Sequence, residues 1–124
     1  KSYFILETNR QKKVAKAFQQ ELSEIFRREA KDNYSGNLIS VTKVTVTPDI
    51  ATAKVYLSIF PTDNSDNIIK DIKEKAPMYR TMIAKSAAKN MRFAPELLFY
   101  LDVSLDKMEK IERALKGKGD NPIL

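Results

Sequence analysis

KAPMYRTMIAKSAAKNMRFAPELLFYL, residues 75–101, divides into a break, a helix, a tight connection and a strand. Pro77 has no backbone N–H and crowds the carbonyl four residues back, so a helix arriving from its N-terminal side breaks there. Residues 78–90 then contain neither Gly nor Pro. Ile83, Ala87 and Met91 recur at i, i+4 and i+8 with Tyr79 and Ala84 beside them, which predicts a helix with one apolar face. On a helical wheel Lys85, Lys89 and Arg92 fall together on the other side. Pro95 is expected to end this helix, and Leu97, Phe99, Leu101 and Val103 alternate as a strand with one buried face. Between residues 75 and 92 stand five cations, Lys75, Arg80, Lys85, Lys89 and Arg92, and no acid. A single-sign helix face leading into a buried strand is a candidate surface for a polyanion.

Upstream, Thr8-Asn9-Arg10-Gln11 matches a capping box, and Val14, Phe18, Leu22, Ile25 and Phe26 draw a stripe that predicts a helix reaching to about Lys31. Its opening turns carry Arg10, Lys12, Lys13 and Lys16. Cations near a helix N-terminus oppose the macrodipole, so these are either an incidental solvated face or a face turned to phosphate. A loop with Gly36 leads to a Val- and Thr-rich strand over residues 38–47. Its apolar parity switches from odd (Ile39, Val41) to even (Val44, Val46), which predicts either a bulge near Thr42 and Lys43 or a strand that starts later than Leu38. After a turn at Thr47-Pro48-Asp49, Ala51, Ala53, Val55, Leu57 and Ile59 alternate with polar residues, predicting the second strand of an antiparallel hairpin. Ser65 or Asp66 is placed to cap a helix over residues 67–76 with Ile68, Ile69 and Ile72 inward. The connection from second to third strand is long enough for a crossover, which would allow the third strand to lie parallel to the first. Ser104 is placed to cap a short last helix carrying Leu105, Met108, Ile111 and Leu115, which Gly117 and Gly119 end. The reading is a single domain over residues 8–116, an N-terminal extension at 1–7 (tag or disordered), and a flexible tail at 117–124.

Composition narrows the chemistry. The 124 residues hold neither Cys nor His, which removes a thiol nucleophile, a disulfide framework, the commonest general base and the commonest zinc ligand. No metal and no cofactor is expected. Asp63 and Asp66 fall in a loop with no His, Cys or Gly-rich phosphate cradle nearby, and Asp102 and Asp106 are placed to serve the start of the last helix, so no enzyme is expected. No apolar run approaches the ~20 residues that span a bilayer, and a cytoplasmic protein is the expectation. The net charge of +6 is uneven: residues 67–95 hold seven cations against two acids, whereas 33–66 hold two against three. The excess sits on predicted helices, which favours nucleic acid over general solubilising charge.

The element order, α-β-β-α-kink-α-β, resembles a type II KH domain: α+β, a three-stranded mixed sheet with helices packed on one face, closed by a short C-terminal helix. Three blocks go further. Arg10-x-x-Lys13-Val14-Ala15 with Arg28-Glu29-x-Lys31-Asp32, then Ala53-Lys54-Val55-Tyr56-Leu57-Ser58, then Arg92-Phe93-Ala94-Pro95-Glu96-Leu97 with Phe99, resemble the ribosome-binding factor A family, in order and at compatible spacing from Arg10 to about Leu115. The resemblance implies a bacterial factor that binds the small ribosomal subunit late in maturation, contacts 16S rRNA, assists processing of its 5′ end, matters most in the cold, and is released by a ribosome-assembly GTPase. It implies no catalysis, and a monomer off the ribosome is expected. Ordinary KH domains carry Gly-x-x-Gly between the paired helices, and this family usually Ala-x-Gly. Here Lys75-Ala76-Pro77-Met78 stands instead, with Ala76 and Pro77 as the expected kink. Without glycine the backbone cannot approach a strand closely, so recognition of folded RNA by shape and phosphate fits better.

The sites expected to touch RNA are therefore Lys85, Lys89 and Arg92, then Arg10, Lys12, Lys13 and Lys16, with Lys75 and Arg80 beside the kink. Arg80 falls on the apolar side of the wheel, where it either snorkels or pairs with a carboxylate. Tyr56 and Tyr100 are available to stack on bases or to pack beneath the last helix. Two other occupants of a basic face are an acidic protein partner and an acidic membrane. The absence of Trp and of a spare apolar stripe argues against the membrane.

Overall fold

The structure, a computed structural model, describes residues 7–102. The helix expected from Ser104, the strand residue Val103, the extension before residue 7 and the tail lie outside the described residues. The order is α1 (Asn9–Asn33), β1 (Leu38–Val46), β2 (Thr52–Phe60), α2 (Ser65–Glu74), α3 (Ala76–Ala84) and β3 (Glu96–Leu101), the expected mixed α+β layout.

α1 starts as its sequence dictates. Thr8 Oγ1 accepts the Gln11 N–H at 3.1 Å, and Gln11 Oε1 accepts the Thr8 N–H at 3.0 Å, a complete capping box. Gln11 is also buried, and its Nε2 donates to the Val46 carbonyl at 2.9 Å, tying the helix start to the end of β1. Phe18, Leu22, Ile25 and Phe26 are buried as expected, while Val14 is only partly covered and Ala15 takes its place.

β1 and β2 pair antiparallel with a register shift between Val41 and Lys43. The extra residue, Thr42, keeps Ile39, Val41, Val44 and Val46 on the buried side despite the parity change. β2 begins one residue later than its alternation suggested. Ala51 is exposed in the turn, where Thr47 Oγ1 and Asp49 Oδ1 accept its N–H at 3.2 and 3.1 Å. Ile50, at φ 56°, is the price of that turn, and its side chain is buried in return.

β3 pairs with β2, from Thr52 opposite Glu96 to Leu57 opposite Leu101, and it runs parallel to it. The sheet order is β1-β2-β3, so β3 opposes β1 in direction, and the arrangement the crossover length allowed, a third strand parallel to the first, is not the one adopted. The crossover through α2 and α3 brings the chain back to the free edge of the strand it left, in that strand's own direction.

α2 opens two residues earlier than expected. Its cap position is Asn64, and Ser65 and Asp66 are already helical, so neither caps. The Asn64 side chain instead pairs with that of Asn37 at 3.0 Å. Lys75 alone separates α2 from α3. Its N–H closes α2 on Asp71 and Ile72, and its carbonyl opens α3 by accepting from Met78 at 2.9 Å and Tyr79 at 3.2 Å. Pro77 therefore lies in the first turn of α3, where a missing N–H costs little.

α3 does not reach Asn90. It stops at Ala84, and residues 85–90 form successive turns. Lys85, Ser86, Lys89 and Met91 each donate three residues back, at 3.0 to 3.2 Å, while Ala88 donates five back to Ile83 at 2.9 Å. The Ser86 hydroxyl donates to the Met82 carbonyl at 3.1 Å, competing for the helical acceptor. Ala88, rather than Ala87 or Met91, is then the buried residue after Ile83. Pro95 does not end a helix; it is buried just ahead of β3.

The core lies between the helices and one sheet face. Phe26, Tyr79 and Phe99, from α1, α3 and β3, meet with centroids 4.9 to 5.8 Å apart and rings tilted or edge-on. Tyr56 and Tyr100, partners across β2 and β3, stack on each other at 5.3 Å. Among the described residues no helix is long and apolar enough to cross a membrane.

Candidate RNA-contact surface

Two clefts flank Arg80. The larger, about 970 Å³, runs between α3 and β3 and is walled by Ala76, Pro77, Arg80, Thr81 and the β3 residues Glu96 to Tyr100. The smaller, about 440 Å³, lies where the first turn of α1, the β1–β2 turn and residues 90–94 converge. Arg10, Asp49, Arg80, Asn90, Arg92 and Phe93 are among its walls.

Arg80 takes neither course expected of it. Its Nε and Nη2 both donate to the Ala94 carbonyl, at 3.0 and 2.8 Å, and the side chain remains exposed. This clasp holds the strand-entry segment against α3. Arg92 is exposed, and its guanidinium carbon lies 5.5 Å from the centre of the Phe93 ring. Arg10 joins them because the capping box fixes the first turn of α1, which contains no acid. Three arginines thus line one cleft, Arg10 from the first turn of α1, Arg80 from α3 and Arg92 from the α3-to-β3 connection.

Other expected residues fare differently. Lys85 and Lys89 are exposed, but they sit in the turns after α3 and line neither cleft, so no continuous helix face unites them with Arg92. Lys12, Lys13 and Lys16 are exposed along α1, outside both clefts. Lys75 is turned inward to its own chain. Its Nζ lies 3.4 Å from Glu29 and 3.5 Å from Asp71, and 5.0 Å from the centre of the Tyr34 ring. Burial pulls its pKa down, but Tyr34 and the two carboxylates outweigh that and hold it above the ordinary lysine value. Tyr34 also donates to Asp71, and the buried Tyr79 hydroxyl donates to Glu29 at 2.8 Å. Lys75 therefore locks the junction of α1, α2 and α3. Ala76 and Pro77 stand at the edge of the larger cleft.

The sequence reading passed over Phe93 as a site residue. Phe93 is 70% exposed, whereas Phe18, Phe26 and Phe99 fill the core. The signal was present, an aromatic between an arginine and a buried proline, but its outward direction depends on the course of residues 85–94. Among the described residues no group of carboxylates could hold a metal ion.

A basic α+β domain of KH-like layout, lacking the glycine loop and carrying a cationic cleft at one end, is the class that this fold and site define. The chain belongs to the ribosome-binding factor A family, whose model matches residues 10–115. It is 43% identical over 119 residues to ribosome-binding factor A of Flavobacterium psychrophilum, covering 95% of this chain and 91% of that one. Ribosome-binding factor A of Coxiella burnetii is 31% identical, with 88% and 92% covered. The crystal structure of ribosome-binding factor A from Thermus thermophilus is similar in fold, with a TM-score of 0.54 at 16% identity, covering 73% of this chain and 94% of that one.

Proposed function

We propose that this protein is a non-enzymatic ribosome-assembly factor. It docks on the small ribosomal subunit through 16S rRNA, works late in maturation and assists processing of the 5′ end. The single observation carrying the RNA contact is that Arg10, Arg80 and Arg92 line one cleft, the latter two from residues 75–92, which contain no acid. Arginine suits the role because its planar fork matches phosphate oxygens and keeps its charge. Lys12, Lys13, Lys16, Lys85 and Lys89 add longer-range attraction from the surrounding surface. In this reading the factor acts in the cytoplasm, as a monomer when off the ribosome, counts most in the cold, and is released by a partner GTPase.

Co-sedimentation with small subunits on sucrose gradients tests the proposal. The wild type should travel with the small subunit, and the association should weaken with salt at a slope of about −0.7 to −0.9 per phosphate contact. Replacing Arg10 and Arg92 with Glu should abolish it while thermal melting is unchanged, since both side chains are exposed. Association that survives this double reversal would sink the proposed surface. Binding to an acidic protein in place of RNA would sink the assignment.

A further inference from the structure

We infer that the smaller cleft receives one unpaired nucleotide of the bound RNA, its base stacked on Phe93 and its phosphate held by the arginines. The inference rests on the RNA-binding reading above and names what that surface selects. Phe93 has the greatest exposure of the large apolar side chains that stand out from the described surface, 70%. Burying such a ring would be favourable, and nothing within the described fold does so. The Arg92 guanidinium lies over the ring, 5.5 Å from its centre, and the exposure of the residue still leaves ring surface open for a base. Base–aromatic stacking is the recurrent way in which proteins hold bases that no helix covers.

The surroundings fit a nucleotide in parts. Arg10 and Arg80 supply positive charge on the same wall system, and Asn90 brings an amide with both donors and acceptor for a base edge. Asp49 also lines the cleft, with its carboxylate held in the charged form, chiefly by the Thr47 hydroxyl and then by the Ala51 N–H. That negative wall repels phosphate and so directs it to the arginine side. A cleft of about 440 Å³ admits a single base with its sugar, whereas paired bases in an A-form duplex cannot turn out to meet the ring. Arg80 is pinned to Ala94, so the loop that presents Phe93 is held in place before any ligand arrives.

The test uses the full chain and two RNA hairpins, identical except that one carries a single bulged 2-aminopurine. The wild type should bind the bulged hairpin about tenfold more tightly than the paired one and quench the 2-aminopurine fluorescence. Phe93→Ala should erase both the preference and the quenching, bringing the bulged hairpin down to the affinity of the paired one, and Phe93→Trp should keep both. Equal affinity of the wild type for the two hairpins, with strong salt dependence, would leave the phosphate surface standing and overturn the stacking site. So would a Phe93→Ala variant that still quenches, or one that loses both hairpins equally. Failure of the wild type to bind either hairpin would overturn the RNA-binding reading along with it.

Discussion

Tyr79 shows how a single residue carries both packing and polarity. Its ring is wholly buried against Phe26 and Phe99, while its hydroxyl donates to Glu29, which also faces Lys75. Removing only the hydroxyl, in Tyr79→Phe, keeps the packing and leaves the carboxylate short of a donor. The expected loss is about 1.5–3 kcal/mol in urea unfolding at neutral pH. The same cluster predicts a pH dependence. Burial first, then the neighbouring Glu29, pushes the Tyr79 hydroxyl above its ordinary 10.0, and burial with Asp71 raises Tyr34 as well. Lys75 is raised above 10.5. Each group holds its proton to higher pH when folded than when unfolded. The stability it contributes is whole below the unfolded value and is lost as pH rises through the folded one. The urea midpoint should therefore fall above about pH 10, and Tyr79→Phe should make that fall shallower. Gln11→Ala is the other informative single change, because it removes the side-chain half of the capping box and the bond to Val46 together. A loss of about 1–3 kcal/mol is expected from thermal or chemical unfolding.

The helices and strands divide into those whose limits are set locally and those set by distant contacts. The start of α1, the bulge in β1 and the break before α3 were legible because each has a local cause: a cap and its reciprocal side chain, a change of parity, a proline. The end of α3 was not legible. Residues 78–90 contain no breaker, and the helix stops because Arg80 reaches fourteen residues ahead to the Ala94 carbonyl and Ala88, not Ala87, enters the core. The same failure explains why the charged triad on a helical wheel proved to be one cleft arginine and two lysines elsewhere. The neighbour of β3 was equally hidden, since periodicity reports which face a strand buries and not which strand it joins. Arg80→Lys tests the account of this segment. An ammonium cannot grip one carbonyl with two parallel N–H groups, so amide hydrogen exchange in residues 85–94 should quicken. Protection in α1 and β2 should stay as in the wild type.

Across the whole molecule, a net charge of +6 gives attraction to any polyanion, but the clustering decides where a polyanion settles. Two double reversals separate the two effects. Lys85→Glu with Lys89→Glu changes net charge as much as Arg10→Glu with Arg92→Glu. If the cleft governs docking, the arginine pair should cost far more small-subunit association at physiological salt, and only that pair should flatten the salt slope by about two contacts. Equal losses from the two pairs would mean that overall charge alone governs binding. The family was legible in three short blocks, since they occupy β2, the entry to β3 and the first helix. The cleft was not, because its walls come from residues 10, 49–51, 80 and 90–94, which only the folded chain brings together.

The amide of Gln11, sealed from water and fastened to Val46, has an effect one residue away. Successive side chains on a helix point about 100° apart, so if α1 turned by a single residue, Arg10 would swing clear of the cleft. A neutral group on the dry side of the helix thus serves as the gunsight for a charge on its wet side.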